Sequence, residues 1–266
     1  MPKVVIVIPM FGKEEYTRKC VELTKKNYGT GEPIEIVVVD DGSEVPFVDD
    51  TINVIRLDKN SGFTAASNEG ILWAQYRNAD YVLLLNNDTE PEAGFLKELL
   101  DVIEADERIG IAASVRIHVN REPQCVELCG SDIIRGYQYF TDIKSLPDIP
   151  IPCNWVPLCS GLIRMDMIRD IGILDKRFRN HCSDSSYCLY AKTRGWGVVI
   201  VPNSRVIHHL SVTTTANKIM VDDDQKKFLE QLAGLEYQKL MVAMPLDGEA
   251  GTYGRLTFEV YKKDSK

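Results

Sequence analysis

Twice in this 266-residue chain an apolar run stops abruptly at a carboxylate. Tyr81–Leu85 is followed by Asn86-Asn87-Asp88, and Ile34–Val39 runs into Asp40-Asp41-Gly42-Ser43. Each run is too short for an independent helix and suits a buried strand. An acid at the carboxyl end of such a strand lies at the mouth of the crevice where α/β proteins bind ligands. Two plainer uses compete: Asp88 as the cap of a following helix, and Asp41-Gly42 as a simple turn. Thr89 and Pro91 read as turn and helix-start signals, with Glu90 and Glu92 favourably placed at a helix N-terminus.

Glycine-rich phosphate loops are absent. After the first apolar run the chain reads Pro9-Met10-Phe11-Gly12, which is neither GxGxxG nor GxxxxGK[ST]. A phosphate approaching these acids would be repelled unless a divalent cation lay between them. The pattern therefore points to Mg or Mn bridging Asp88 to a diphosphate.

The elements that must position these residues alternate. Strands are expected at Lys3–Pro9, Ile34–Val39, Asn53–Leu57, Tyr81–Leu85 and Gly110–Ala113. Helices are expected at Glu14–Asn27, Ser61–Gln75 and Phe95–Ile103. The strands are apolar on both faces, which predicts an α/β fold with a mainly parallel central sheet flanked by helices. From Ser114 to Trp155 the pattern breaks into hairpins and loops. It resumes with a strand at Cys159–Ile163, helices at Asp166–Ile171 and Asp184–Arg194, and a strand at Val198–Val201. Pro202 closes that last strand, and His208-His209 follow. A C-terminal helix is expected over Asp222–Met244, opening on Asp222-Asp223-Asp224, and LTFEVY near the end reads as one more strand.

A hydrophobic content of 44% supports a sizeable core and argues against disorder. The net charge of -8 argues against a broad nucleic-acid surface. No apolar run approaches the roughly 20 residues of a membrane span, and the first residues make a poor signal peptide. A cytoplasmic protein is expected. Seven cysteines without a CxxC pair predict free thiols, with no disulfide and no zinc.

Six stretches occur in order: VVIVIPMFGKEEYTRKC, VVVDDGS, KNSGFTAASNEGI, YVLLLNNDTEPEAGFL, CSGLIRMDMIRDIGILDKRF and VIHH. Together they resemble the family 2 glycosyltransferases of the GT-A fold, particularly the rhamnosyltransferase-like branch. The resemblance implies a nucleotide-sugar-binding half over 1–115 and an acceptor-binding, catalytic half over 116–215 of one domain. A C-terminal helical extension over 216–266 would follow. It implies an inverting, metal-dependent transfer from a nucleoside diphosphate sugar, with UDP the first carrier expected and dTDP the next. The acceptor implied is a glycan or lipid-linked glycan.

The same resemblance assigns residues. Asp40, Asp41, Pro9 and Asn60 would hold the nucleobase end of the donor, with Asn86, Asn87 and Asp88 at its diphosphate. Asp88 and His208 would hold Mn or Mg, His208 being preferred to His209. Asn86 replaces the first acid of the usual metal motif. Asp184 falls on the catalytic base. Ser183 and Ser186 stand where flanking acids are usual, so acceptor contacts there differ from the family pattern. Asn68 is expected to support its helix rather than touch the donor. Competing readings are a non-catalytic sugar-nucleotide-binding module, a nucleotidyltransferase, and transfer to a modified nucleobase in DNA.

Overall fold

A computed structural model describes residues 3–31, 34–118, 125–129, 138–142, 146–209, 223–228, 230 and 231. The first half alternates as its apolar runs predict. The order is β1 (Val4–Met10), α1 (Glu14–Asn27), β2 (Glu35–Asp40), β3 (Asn53–Arg56), α2 (Phe63–Tyr76) and β4 (Tyr81–Leu85). Then come β5 (Thr89–Pro91), α3 (Phe95–Ala105), β6 (Ile109–His118), β7 (Cys125–Cys129) and β8 (Gln138–Asp142). The remainder is β9 (Ile151–Pro152), β10 (Ser160–Arg164), α4 (Met165–Ile171), α5 (Ser183–Thr193) and β11 (Gly197–His208). Residues 223–228, 230 and 231 are helical, inside the expected C-terminal helix. The rest of that helix and the LTFEVY strand lie outside the described residues.

One sheet carries the strands in the order β3-β2-β1-β4-β10-β6-β11-β5. β3, β2, β1 and β4 are parallel, as are β6 and β11. β10 lies antiparallel between β4 and β6, and β5 is antiparallel to β11. β7 and β8 form the antiparallel extension expected of the middle segment. The carboxyl ends of β1, β2, β4, β6 and β11 and the amino end of β10 therefore share one edge.

Alternation along the strands feeds two cores. Val5, Val7, Val37, Val39 and Leu84 point to the face covered by α2, α4 and α5. Ile6, Ile8, Val38, Leu83 and Leu85 point to the face covered by α1 and α3. Successive side chains of a strand leave on opposite faces, so a strand buried on both sides must be apolar throughout.

Two local expectations are corrected. Thr89–Pro91 is not a helix start. It is strand β5, pairing with Val206–His208, and α3 begins at Phe95 after Gly94. Pro202 does not close the last strand either. The β11–β6 register shifts between Val201 and Arg205, and the strand continues to His208. Proline, which cannot donate to a ladder, is tolerated at such an irregularity. Cys20, Cys153, Cys159, Cys182 and Cys188 carry free thiols. No helix among the described residues is long and apolar enough to cross a membrane.

Leu84 is fully buried and Leu72, on α2, is 41% exposed. Leu84→Ala should cost about 2–5 kcal/mol, and Leu72→Ala no more than about 0.5 kcal/mol. Urea unfolding of both variants measures this, and equal losses would contradict the two-sided burial of β4.

Candidate active site

A cleft of about 390 Å³ opens at the shared strand edge, within the size range of small-molecule sites. Pro9, Asp41, Asn60, Asn86, Asn87, Asp88, Asp184 and His208 all line it. Asp40 does not. Three corners can be distinguished.

The first corner lies beyond β1 and β2. Asp40 and Asp41 are neighbours with different duties. The Asp40 carboxylate is fully buried and accepts N–H groups from Ser43 at 2.8 Å and Phe47 at 3.1 Å, and it pairs with Arg56. Burial pushes this carboxyl up, but Ser43, Phe47 and Arg56 outweigh it and hold it below the usual range. Asp40 therefore folds the loop after β2 rather than facing the cleft. Asp41 accepts the N–H groups of Ser61 and Gly62, each at 2.7 Å. Burial pushes its carboxyl up, against those two donors and the nearby Arg179.

Two glycines make this corner fit. Gly42 has φ +70, and a Cβ there would meet the backbone of Lys59 at 2.5 Å. Gly62 has φ +97, and a Cβ there would meet the Arg179 carbonyl at 2.7 Å. Both need the left-handed backbone and the missing side chain. Arg179 Nη2 donates to the Asn60 carbonyl at 2.9 Å and to its Oδ1 at 2.7 Å. Phe11 also lines the cleft and is 42% exposed.

The second corner joins the ends of β4 and β11. His208 Nε2 and Asp88 Oδ1 are 3.0 Å apart, and both residues are buried. The other ring nitrogen of His208 and Asn86 Oδ1 are buried without a partner. Asn87 donates to Thr17 Oγ1 at 3.0 Å and is anchored on α1. The His209 ring pairs with Glu90 at 2.9 Å, while its backbone N–H donates to the Asp88 carbonyl at 3.0 Å. Asp88 is not a helix cap, because Gly94 holds that position for α3.

No group of three or more His, Cys, Asp or Glu side chains among the described residues is arranged to hold a metal. Asp88 and His208 supply two donors. Neighbouring ligands of an octahedral ion with bonds of about 2.1 Å stand about 3.0 Å apart, and Nε2 and Oδ1 are separated by 3.0 Å. That separation is compatible with neighbouring ligand positions on a divalent cation and is equally the length of the hydrogen bond the two side chains make here. Imidazole with a carboxylate suits Mn at least as well as Mg.

The third corner is the start of α5. Asp184 is the second residue of the helix. Cys182, at φ 59, holds the cap position, so Asp184 is free of that task. Its Oδ1 accepts the Ser185 N–H at 2.8 Å. Burial pushes the carboxyl up, while Ser185, Arg116 and His181 pull it back. The two serines in the flanking positions part company. Ser183 lines the cleft, whereas Ser186 donates to Gln231 at 2.7 Å on the C-terminal helix. Asn68 exchanges two hydrogen bonds with the Leu174 backbone, at 2.9 and 3.0 Å, and supports α2 as expected.

Arg116, Arg179, His181 and Phe11 also line the cleft and were not expected there. Arg116 had one sequence signal, a lone charge inside the apolar run of β6. The other three had none.

Residues 5–156 match the family described as glycosyl transferase family 2. An O-antigen biosynthesis protein of Myxococcus xanthus, RfbC, is 24% identical over 241 residues, covering 82% of this chain and 18% of that protein. The chain thus spans less than a fifth of that relative's length. The crystal structure of GalNAc-T7 with UDP, GalNAc and Mn2+ is similar with a TM-score of 0.63 and 14% identity, over 79% of this chain and 44% of that one. S. aureus TarS 1-349 in complex with UDP gives 0.54 and 17%, over 79% and 61%. At these identities the two structures speak for the fold, which matches the mixed sheet and flanking helices found here.

Asp40 and Asp41 should shift stability with pH in opposite directions. A depressed carboxyl adds stability that is full above the unfolded value of about 3.9 and is lost as pH falls through the folded value. Asp40 behaves so, and Asp40→Asn should flatten the acid loss. A raised carboxyl costs stability above its folded value, and the cost is relieved as pH falls toward the unfolded one. Asp41→Asn should therefore remove a cost at neutral pH. Urea unfolding between about pH 2 and 7 checks both, and identical profiles for the two variants would refute the division of labour.

Proposed function

Since the chain belongs to glycosyl transferase family 2, we propose that its cleft moves a sugar from a nucleoside diphosphate sugar to an acceptor hydroxyl, with inversion at the anomeric carbon. The observation that carries this reading is the division of the three cleft carboxylates. Asp41 is tied to two backbone N–H groups and Asp88 to His208, whereas Asp184, at the start of α5, accepts the Ser185 N–H through Oδ1 and is the carboxylate assigned to proton abstraction.

In this reading the nucleobase lies between Phe11 and Asp41, with Pro9 and Asn60 alongside. An ionised Asp41 accepts a ring N–H from the base, as a pyrimidine dione offers. UDP is the preferred carrier, because the two similar structures contain UDP, and dTDP is the next. The diphosphate lies toward Asn86, Asn87 and Asp88. A divalent cation, Mn or Mg, held by Asp88 and His208 would neutralise charge on the leaving diphosphate. Asp184 takes the proton of the acceptor hydroxyl as its oxygen attacks from the face opposite the leaving group. A carboxyl raised by burial is a stronger base once ionised, and the Ser185 N–H, Arg116 and His181 favour its ionised form against that burial. Ser183 replaces an acid with a neutral donor and acceptor beside the incoming hydroxyl. Residues 1–115 supply the donor half and 116–215 the acceptor half. A glycan or lipid-linked glycan acceptor is supported by the O-antigen biosynthesis relative.

Thermal shift with UDP, dTDP, GDP or CDP, each with Mn, Mg or EDTA, should show one nucleotide stabilising the protein only with metal. At 100 times the dissociation constant the gain is about 2.7 kcal/mol, and Asp88→Ala should abolish it. No stabilisation by any nucleotide would sink the donor assignment. Asp184→Asn should retain that shift while transfer falls by about 10²–10⁴-fold. Transfer by Asp184→Asn within about threefold of the unaltered protein would remove Asp184 from the base role.

A further inference from the structure

The acidic opening of the C-terminal helix does more than complement a helix dipole. Asp224 is 1% exposed, and its carboxylate collects three consecutive backbone N–H groups. Asn180 donates to Oδ2 at 2.9 Å, His181 to Oδ2 at 3.0 Å, and Arg179 to both oxygens at 3.1 Å. Successive N–H groups converging on one anion form a backbone nest. The anion in this nest is part of the chain itself.

The three residues that make the nest all line the cleft. Arg179 reaches across to Asn60 at the first corner. Asn180 Oδ1 accepts the Phe63 N–H at 2.9 Å, at the start of α2. His181 interacts electrostatically with Asp184. This one short loop thus links the Asp41 corner to the Asp184 corner, and Asp224 holds it from behind. Phe228 is buried in the core, and Lys227 donates to the Arg177 carbonyl at 2.9 Å, so the anchoring helix is itself fixed. Asp223, the preceding residue, is exposed and pairs with Lys227 at 2.6 Å, while the nest N–H groups go to Asp224.

We propose that Asp224 is a positioning residue: its carboxylate, docked in the 179–181 nest, sets the loop that presents Asp184 to the acceptor. The role rests on the transferase reading above for its catalytic consequence. Donor recognition depends on it in part, since Arg179 also holds Asn60, but the Asp41 carboxylate itself is fixed by the Ser61 and Gly62 N–H groups. Loosening the nest should therefore lower kcat more than it raises the donor KM.

Hydrogen–deuterium exchange and transfer kinetics on the full chain test this with Asp224→Ala, Asp224→Asn and the control Asp223→Asn. Exchange at the amides of 179–181 should quicken at least about tenfold in Asp224→Ala, while β4 amides stay protected. kcat should fall at least about tenfold with donor KM within about threefold. Asp224→Asn, which keeps one acceptor oxygen, should lie between Asp224→Ala and the unaltered protein in both readouts. Asp223→Asn should match the unaltered protein. If Asp224→Ala does not fold, Asp224→Asn still shows the local loosening and the kcat loss. Unchanged exchange at 179–181 overturns the proposal, as does quickened exchange with unchanged kcat. Equal loss of β4 protection and donor affinity also overturns it, since that is general destabilisation. Exchange needs no turnover: an inactive unaltered protein would defeat the transferase reading, while the amides of 179–181 would still decide whether Asp224 holds the loop.

Discussion

Three residues of β5 paired with the end of β11 are the contact on which the cleft depends. Thr89, Glu90 and Pro91 lie against His208, Ile207 and Val206. The ladder puts Asp88 against the imidazole of a residue 120 positions away. Without it, the carboxylate after β4 would have nothing to bring it to the histidine at the end of β11. It also turns the chain into Glu92, whose N–H bonds to the Arg205 carbonyl, before α3 starts. The pairing is short, and the surrounding sheet makes it affordable: β11 is already held along its length by β6.

Burial of negative charge is the second constraint. Asp41, Asp88 and Asp184 share one cleft in a chain of net charge -8. Taking a carboxylate out of water raises its pKa, as burial does for Asp41 and Asp184, so each needs hydrogen-bond donors of its own. The fold supplies a different set to each. Asp41 has two backbone N–H groups, Asp88 has His208, and Asp184 has the Ser185 N–H with Arg116 and His181 nearby. Each of the three acids thus has its own set of partners within one cleft. Asp224 shows the same economy behind the cleft, where a buried carboxylate is satisfied by backbone donors and in turn orders the loop that offers them.

Much of the fold was legible in the chain. β4 and α1 have the limits that periodicity and end signals predict. The other strands and helices of the first half are within about two residues of their expected ends or, as with β6, extend further. Strands buried on both faces must be apolar throughout, and helices on such a sheet must be amphipathic, so local pattern carries this information. The carboxylates at strand ends were legible for the same reason, since they mark where the apolar run stops. β5 was not, because Thr-Glu-Pro carries no apolar period and its strand character comes wholly from its partner. Pro202 misled in the same way: the irregularity that tolerates it belongs to the β11–β6 register.

Residue types and order were sufficient for the α/β architecture, the family resemblance and the acids Asp41, Asp88 and Asp184. They could not separate Asp40 from Asp41, because adjacent residues after a strand differ only in what surrounds them. Nor could they bring Arg116, Arg179 and His181 to the cleft, or show that Asp224 anchors a loop more than 40 residues earlier. Those assignments depend on hydrogen bonds and burial between distant segments. Such contacts leave no period in the chain, and they exist only once the sheet has brought its strand ends to one edge.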